Sequence, residues 1–187
     1  MASSEGEKQG EAPGFSRPRA ALHWLMALLV MIMLAGGLLS LAPMSDADPA
    51  KLGTMRAHMI VGIATLAALI FYGVATLVSK RPPKASSGNR MLDMLAKLVH
   101  IGLPLCVLVM IASGIATANL AGLPEILFDG KGEHIPEWVR ELPSFKAHAT
   151  AARILLGLLG LHILGALYHQ FVMRDGLLSR MSLRKRR

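Results

Sequence analysis

Three stretches of this chain contain no Lys, Arg, Asp or Glu: residues 20–42, 57–79 and 98–118. A fourth, 147–172, contains only Arg153. A helix needs about 20 apolar residues to cross the hydrocarbon core, where its backbone groups can bond only to each other. All four stretches reach that length. They are apolar all round, which excludes a soluble bundle, whose helices need polar outer faces. The sequence therefore predicts an all-α integral membrane four-helix bundle, with helices over about residues 18–42, 55–79, 92–118 and 146–173. The bundle domain is expected over residues 17–176, with a disordered tail before it over 1–16 and a basic tail after it over 177–187.

The remaining charge sits in the loops. Segment 80–97 carries Lys80, Arg81, Lys84, Arg90 and Lys97 against Asp93, and the tail from 173 ends Arg184-Lys185-Arg186-Arg187. Segments 43–56 and 119–146 are neutral or acidic. Basic loops stay in the cytoplasm, so both termini are expected there. The net charge of +8 is thus a topology signal and does not point to nucleic acid. Ser40-Leu41-Ala42 has a small-x-small cleavage pattern. Pro43 follows it, however, and the apolar run exceeds a signal core, so the first helix is expected to be retained. A single cysteine, Cys106, excludes a disulfide framework and a CxxC site.

The histidines carry the chemistry. Of seven, His23, His58, His100, His148 and His162 fall in or at the ends of the spans. His169 lies at the exit of the last helix and His134 in a loop. Ionisable groups at membrane depth are costly and are retained for function. His148 and His162 are 14 residues apart, which is about 21 Å along a helix and only about 40° short of whole turns. The same step leads from His23 to Gly37, from His58 to Tyr72 and from His100 to Gly114. With alternating helix directions, one layer holds Gly37, His58, Gly114 and His148. The other holds His23, Tyr72, His100 and His162.

Two layers of inward histidines, with glycine where a helix offers no ligand, suit two stacked flat cofactors. Haem b held by two imidazoles from different helices meets that requirement. Gly62, one turn from His58, makes further room. In the first layer His58 and His148 are the only histidines. In the second, His23, His100 and His162 leave one spare, and spacing does not choose between His23 and His100. A zinc site would gather ligands at one depth. A proton-relay transporter would place Asp or Glu in the spans.

These residues resemble the bacterial cytochrome b561 family, in particular its four-helix members described as superoxide oxidases. The resemblance runs from about Arg17 to the C-terminus. It is strongest over His162-Ile163-Leu164-Gly165-Ala166-Leu167-Tyr168-His169-Gln170-Phe171-Val172 with Arg174-Asp175-Gly176, and over Ala21-Leu22-His23-Trp24-Leu25. His58 with Gly62, and His100, are also similar to family positions. Many members carry an Arg late in the second helix, where this chain has Tyr72. The resemblance implies His23 with His162 on a cytoplasmic-side haem iron and His58 with His148 on a periplasmic-side one, with His100 spare. It also implies superoxide as electron donor and ubiquinone as acceptor.

The chain carries no flavin or nicotinamide motif, so electrons must come from a small donor or a protein partner. Arg56, Lys146 and Arg153 are expected near the periplasmic layer, where they would attract an anion or anchor the interface. Arg153, inside the last helix, needs an anionic partner, for which a haem propionate is the candidate. The alternative function is a cytochrome b subunit relaying electrons from a periplasmic dehydrogenase or hydrogenase to the quinone pool. His169 continues the stripe of His148 and His162, about 10 Å beyond His162. It is the candidate for protonating a quinone, with Tyr168 or Asp175 nearby.

Overall fold

The computed structural model describes residues 14–45, 47–79 and 86–183. Most of the expected N-terminal tail and the charges of Arg184 to Arg187 lie outside the described residues, as do Lys80, Arg81 and Lys84. Among the described residues, four helical spans are long and apolar enough to cross a membrane: Arg17–Leu41, Ala50–Val78, Arg90–Leu120 and Pro143–Met173. The first comprises α1, Arg17–Ala35, and a wider π-helical continuation, Gly36–Leu41. The second is α2, Ala50–Val78, and the third α3, Arg90–Leu120. A short α4, Leu123–Phe128, and a 3₁₀ turn, Glu137–Glu141, fill the long loop. The last span is α5, Pro143–Leu167, continued by π-helical Tyr168–Met173. A 3₁₀ turn, Leu177–Met181, ends the described chain.

Local chemistry sets these boundaries. Pro18 and Pro143 occupy first-turn positions, where the missing N–H has no helical partner to lose. Asn89 caps α3 by accepting from the Met91 N–H at 2.9 Å and the Leu92 N–H at 3.4 Å. α2 begins at Ala50, ahead of the apolar stretch, because Asp48 accepts the Ala50 N–H at 2.8 Å. Within α3, Pro104 leaves the carbonyl of His100 without its helical donor.

α1 packs on α2 and α3 on α5. An apolar layer of Val30, Leu34, Cys106, Val107, Ala151, Ala152 and Leu155 joins the two pairs halfway along their length. It lies between the two sets of inward histidines in every helix that contributes to it. A second cluster caps the loop end, where Leu123 and Leu127 of α4 pack with Ile135 and Val139 under Ala118 and Ala121. Gly122 allows the turn into α4 with φ of 62°. The outer faces are apolar and exposed, as at Ile63, Leu77, Leu98, Ile154 and Leu164, which matches a lipid surroundings. The four spans bear out the all-α membrane architecture expected from the charge-free stretches.

Candidate functional site

The fold brings the span histidines together in two groups, one at each end of the bundle. Toward the loop end, His58 on α2 faces His148 on α5 with ring centroids 6.1 Å apart. Toward the end carrying both termini, His23 on α1 faces His162 on α5, also at 6.1 Å. His100 on α3 stands closer to His162, at 5.1 Å. Tyr72 is 6.3 Å from His23. Two imidazoles bonded to one metal ion from opposite sides, each at about 2.0 Å with its ring centre about 1.1 Å further on, would be separated by about 6.2 Å. The His58–His148 and His23–His162 pairs match that spacing, and the His100–His162 pair is about an ångström too close.

The glycines lie where the spacing put two of them. A Cβ on Gly37 would meet the His58 ring at 3.6 Å. A Cβ on Gly114 would meet the His148 ring at 3.2 and 3.3 Å. Each glycine therefore gives an imidazole room at the loop-end layer. Gly62 instead faces Met33, at 3.5 Å for an added Cβ. His148 Nδ1 donates to the Met110 carbonyl at 2.9 Å, with Ser113 Oγ at 3.4 Å. A carbonyl can only accept, so Nδ1 carries the proton and Nε2 keeps its lone pair. That is the tautomer a metal-binding histidine needs, held by a neighbour on α3. His100 has a similar bond within its own helix, Nδ1 to the Ala96 carbonyl at 2.6 Å.

At the terminal end His169 Nδ1 is 2.6 Å from Asp175 Oδ2. Tyr168 stands beside it, with ring centroids 6.2 Å apart. The segment is π-helical, so the turn per residue differs from the α-helical value behind the stripe. The chain reaches Asp175 by leaving the helix at Arg174, with φ of 53°, and Gly176, with φ of 69°. Partial burial raises the Asp175 pKa. The hydrogen bonds from His169 and the Leu177 N–H, with the charges of His169 and Arg180, outweigh it and hold the carboxyl below its ordinary range.

The expected cations of the loop-end layer are otherwise engaged. Arg56 donates through Nε and Nη2 to the Leu127 carbonyl, the Nε bond being 2.8 Å, and lies over the Phe128 ring. Lys146 pairs with Glu141 at 2.8 Å. Arg153 is exposed on the outer face of α5, with Nη1 3.5 Å from the Ala149 carbonyl of its own helix. It is not brought to the His58–His148 pair, because five residues of helix turn it about 140° from His148. Sequence reasoning passed over two other cations. Lys51 is 5% exposed and donates to the Met44 carbonyl at 3.0 Å. Its signal was the seven-residue interval to His58, two turns on the same face. Arg19 is 9% exposed and lies one turn before His23.

The sequence profile of prokaryotic cytochrome b561 matches residues 14–182. A probable superoxide oxidase, CybB, of Yersinia pestis is 30% identical over 175 residues, covering 92% of this chain and 97% of that protein. Cytochromes of this family bind haem b, and opposed histidines with neighbouring glycines in an apolar bundle are a donor set that suits it. With four membrane-spanning helices around paired histidines, and the family profile matched over nearly its whole length, the chain belongs to the prokaryotic cytochrome b561 family of multi-pass inner-membrane cytochrome b oxidoreductases.

Proposed function

We propose that this protein holds two haems b and passes electrons from superoxide to ubiquinone. The observation that carries the reading is the equal 6.1 Å separation of two histidine pairs at opposite ends of one bundle. In this reading His23 and His162 hold one haem, His58 and His148 the other, and His100 is spare. When bound, each haem supplies a one-electron iron couple, and two of them about 21 Å apart would link the two faces of the membrane.

The chain's own residues do the rest. Met110 fixes the His148 tautomer. Gly37 and Gly114 keep side chains clear of the His58 and His148 rings. The apolar layer around Leu34, Val107 and Leu155 keeps water out of the space between the two layers. Basic segments 80–97 and 173–187 set both termini in the cytoplasm, so His58 and His148 belong to the periplasmic half. The name of the Yersinia pestis relative supports superoxide as the electron donor.

The overall reaction takes two superoxide ions, one quinone and two protons to two O₂ and one quinol. His169 serves the proton side. Its Nδ1–H bonds Asp175, which leaves Nε2 for a quinone carbonyl, and the carboxylate stabilises the imidazolium that donates the proton.

The test uses purified protein in vesicles containing ubiquinone, supplied with superoxide and no partner. Ubiquinol should form, and the wild type should carry about two haems per chain. His58→Ala and His148→Ala should each carry about one, since bis-imidazole ligation needs both partners. Ubiquinol formation that requires a copurified donor would make the chain a relay subunit. Unchanged haem content in either variant would sink the paired-ligand reading.

A further inference from the structure

We infer that Arg19 and Thr76 form the clamp for a propionate of the haem held by His23 and His162. The inference rests on that ligand assignment. Three buried polar side-chain atoms lack a partner among the described residues: Arg19 Nε, Arg19 Nη1 and Thr76 Oγ1. They belong to one place. α1 and α2 run antiparallel, with Ser16 Oγ 3.2 Å from Ser79 Oγ and His23 6.3 Å from Tyr72, centroid to centroid. Arg19 lies between Ser16 and His23, and Thr76 the same number of residues between Ser79 and Tyr72. The register therefore sets Arg19 and Thr76 opposite each other, one turn from His23 and Tyr72.

An Arg that is 9% exposed and has two guanidinium nitrogens without a partner is costly to bury unless an anion completes it. Charge-assisted bonds from guanidinium N–H groups to a carboxylate are the strong ones, and an anion placed here would answer these unmatched donors. A hydroxyl from the opposite helix adds a third donor. Carboxylate and phosphate share this chemistry, and burial decides between them. The Phe15 ring covers the guanidinium at 4.5 Å, and the Phe15 N–H is tied to the Arg180 carbonyl at 3.0 Å. Trp24 Nε1 bonds the Met181 carbonyl at 3.0 Å. The C-terminal 3₁₀ turn is thus tied to the start of α1, and the low exposure of the guanidinium favours an anion from within the bundle.

The test is an optical redox titration of purified, haem-loaded protein, wild type against Arg19→Gln, Arg19→Lys and Thr76→Val. Removing the positive charge favours the ferric form. Arg19→Gln should shift one haem component to lower potential by about tenfold in its oxidised-to-reduced ratio, or 59 mV for one electron. The other component should stay in place. Arg19→Lys and Thr76→Val should give smaller shifts of the same component in the same direction. The propionate carboxylate bands in the reduced-minus-oxidised infrared spectrum should move in Arg19→Gln. If Arg19→Gln does not load haem, the other two variants decide by the same readouts. Two components at wild-type potentials with unmoved carboxylate bands would overturn the clamp. So would unmoved potentials accompanied by loss of bound phospholipid, which would give the site to a lipid phosphate. A single component in the wild type would instead count against the two-haem assignment.

Discussion

Gly114 and Gly37 occupy corresponding positions against two facing histidines, yet the structure sets them apart. An alanine Cβ at Gly114 would lie 3.2 Å from His148 Cε1 and 3.3 Å from Nδ1, tighter than ordinary contact. At Gly37 it would lie 3.6 Å from His58 Cε1, an ordinary van der Waals distance. Both replacements gain helix propensity of up to about 1 kcal/mol, so the difference between them isolates the contact. Overpacking costs about 1–3 kcal/mol. The His148 ring cannot retreat freely, because Nδ1 is bonded to Met110. Disturbing such a supporting bond typically costs about 10- to 100-fold in metal affinity, in line with the same 1–3 kcal/mol. Gly114→Ala should therefore bind the loop-end haem about 10- to 100-fold less tightly than Gly37→Ala does. The assay is haem retention against an excess of a haem-scavenging protein, with haem-to-protein ratio at the end point. Gly37→Ala should stay near the wild type. Equal retention in the two variants, or greater loss from Gly37→Ala, would refute the argument from these contacts.

His100→Ala should keep both haems, whereas His23→Ala and His162→Ala should each lose one, as low-temperature absorbance spectra of the three variants will read. Retention of both haems in His23→Ala would hand the ligand role to His100. His169→Phe should keep haem content and haem reduction by superoxide while slowing quinone reduction by about 10²- to 10⁴-fold, the usual worth of a general acid. Asp175→Asn, which replaces the carboxylate partner of His169 Nδ1, should slow it less. Unchanged quinone reduction in both variants would leave His169 as a helix-end anchor.

The sequence alone determined the four spans, because the cost of burying charge in lipid leaves stretches such as 57–79 that no soluble fold explains. It also determined the two histidine layers. A helix converts a 14-residue interval into depth and direction, so His148 with His162, and Gly114 with His100, followed from spacing. The tertiary structure supplies the distances that spacing leaves degenerate. His23 and His100 share a depth, and only the packing of α1 and α3 around α5 gives one a separation of 6.1 Å from His162 and the other 5.1 Å. Arg153 read as a buried cation because it interrupts an apolar stretch, yet its helix turns it outward. Arg56 read as a surface charge, and the loop folds back so that it clamps the Leu127 carbonyl. Arg19 looked like one basic residue at a helix start. Its guanidinium is covered by Phe15, whose N–H bonds the carbonyl of Arg180, more than 150 positions away in the chain. Periodicity governs contacts along one helix. Contacts between distant segments depend on packing that no single helix encodes.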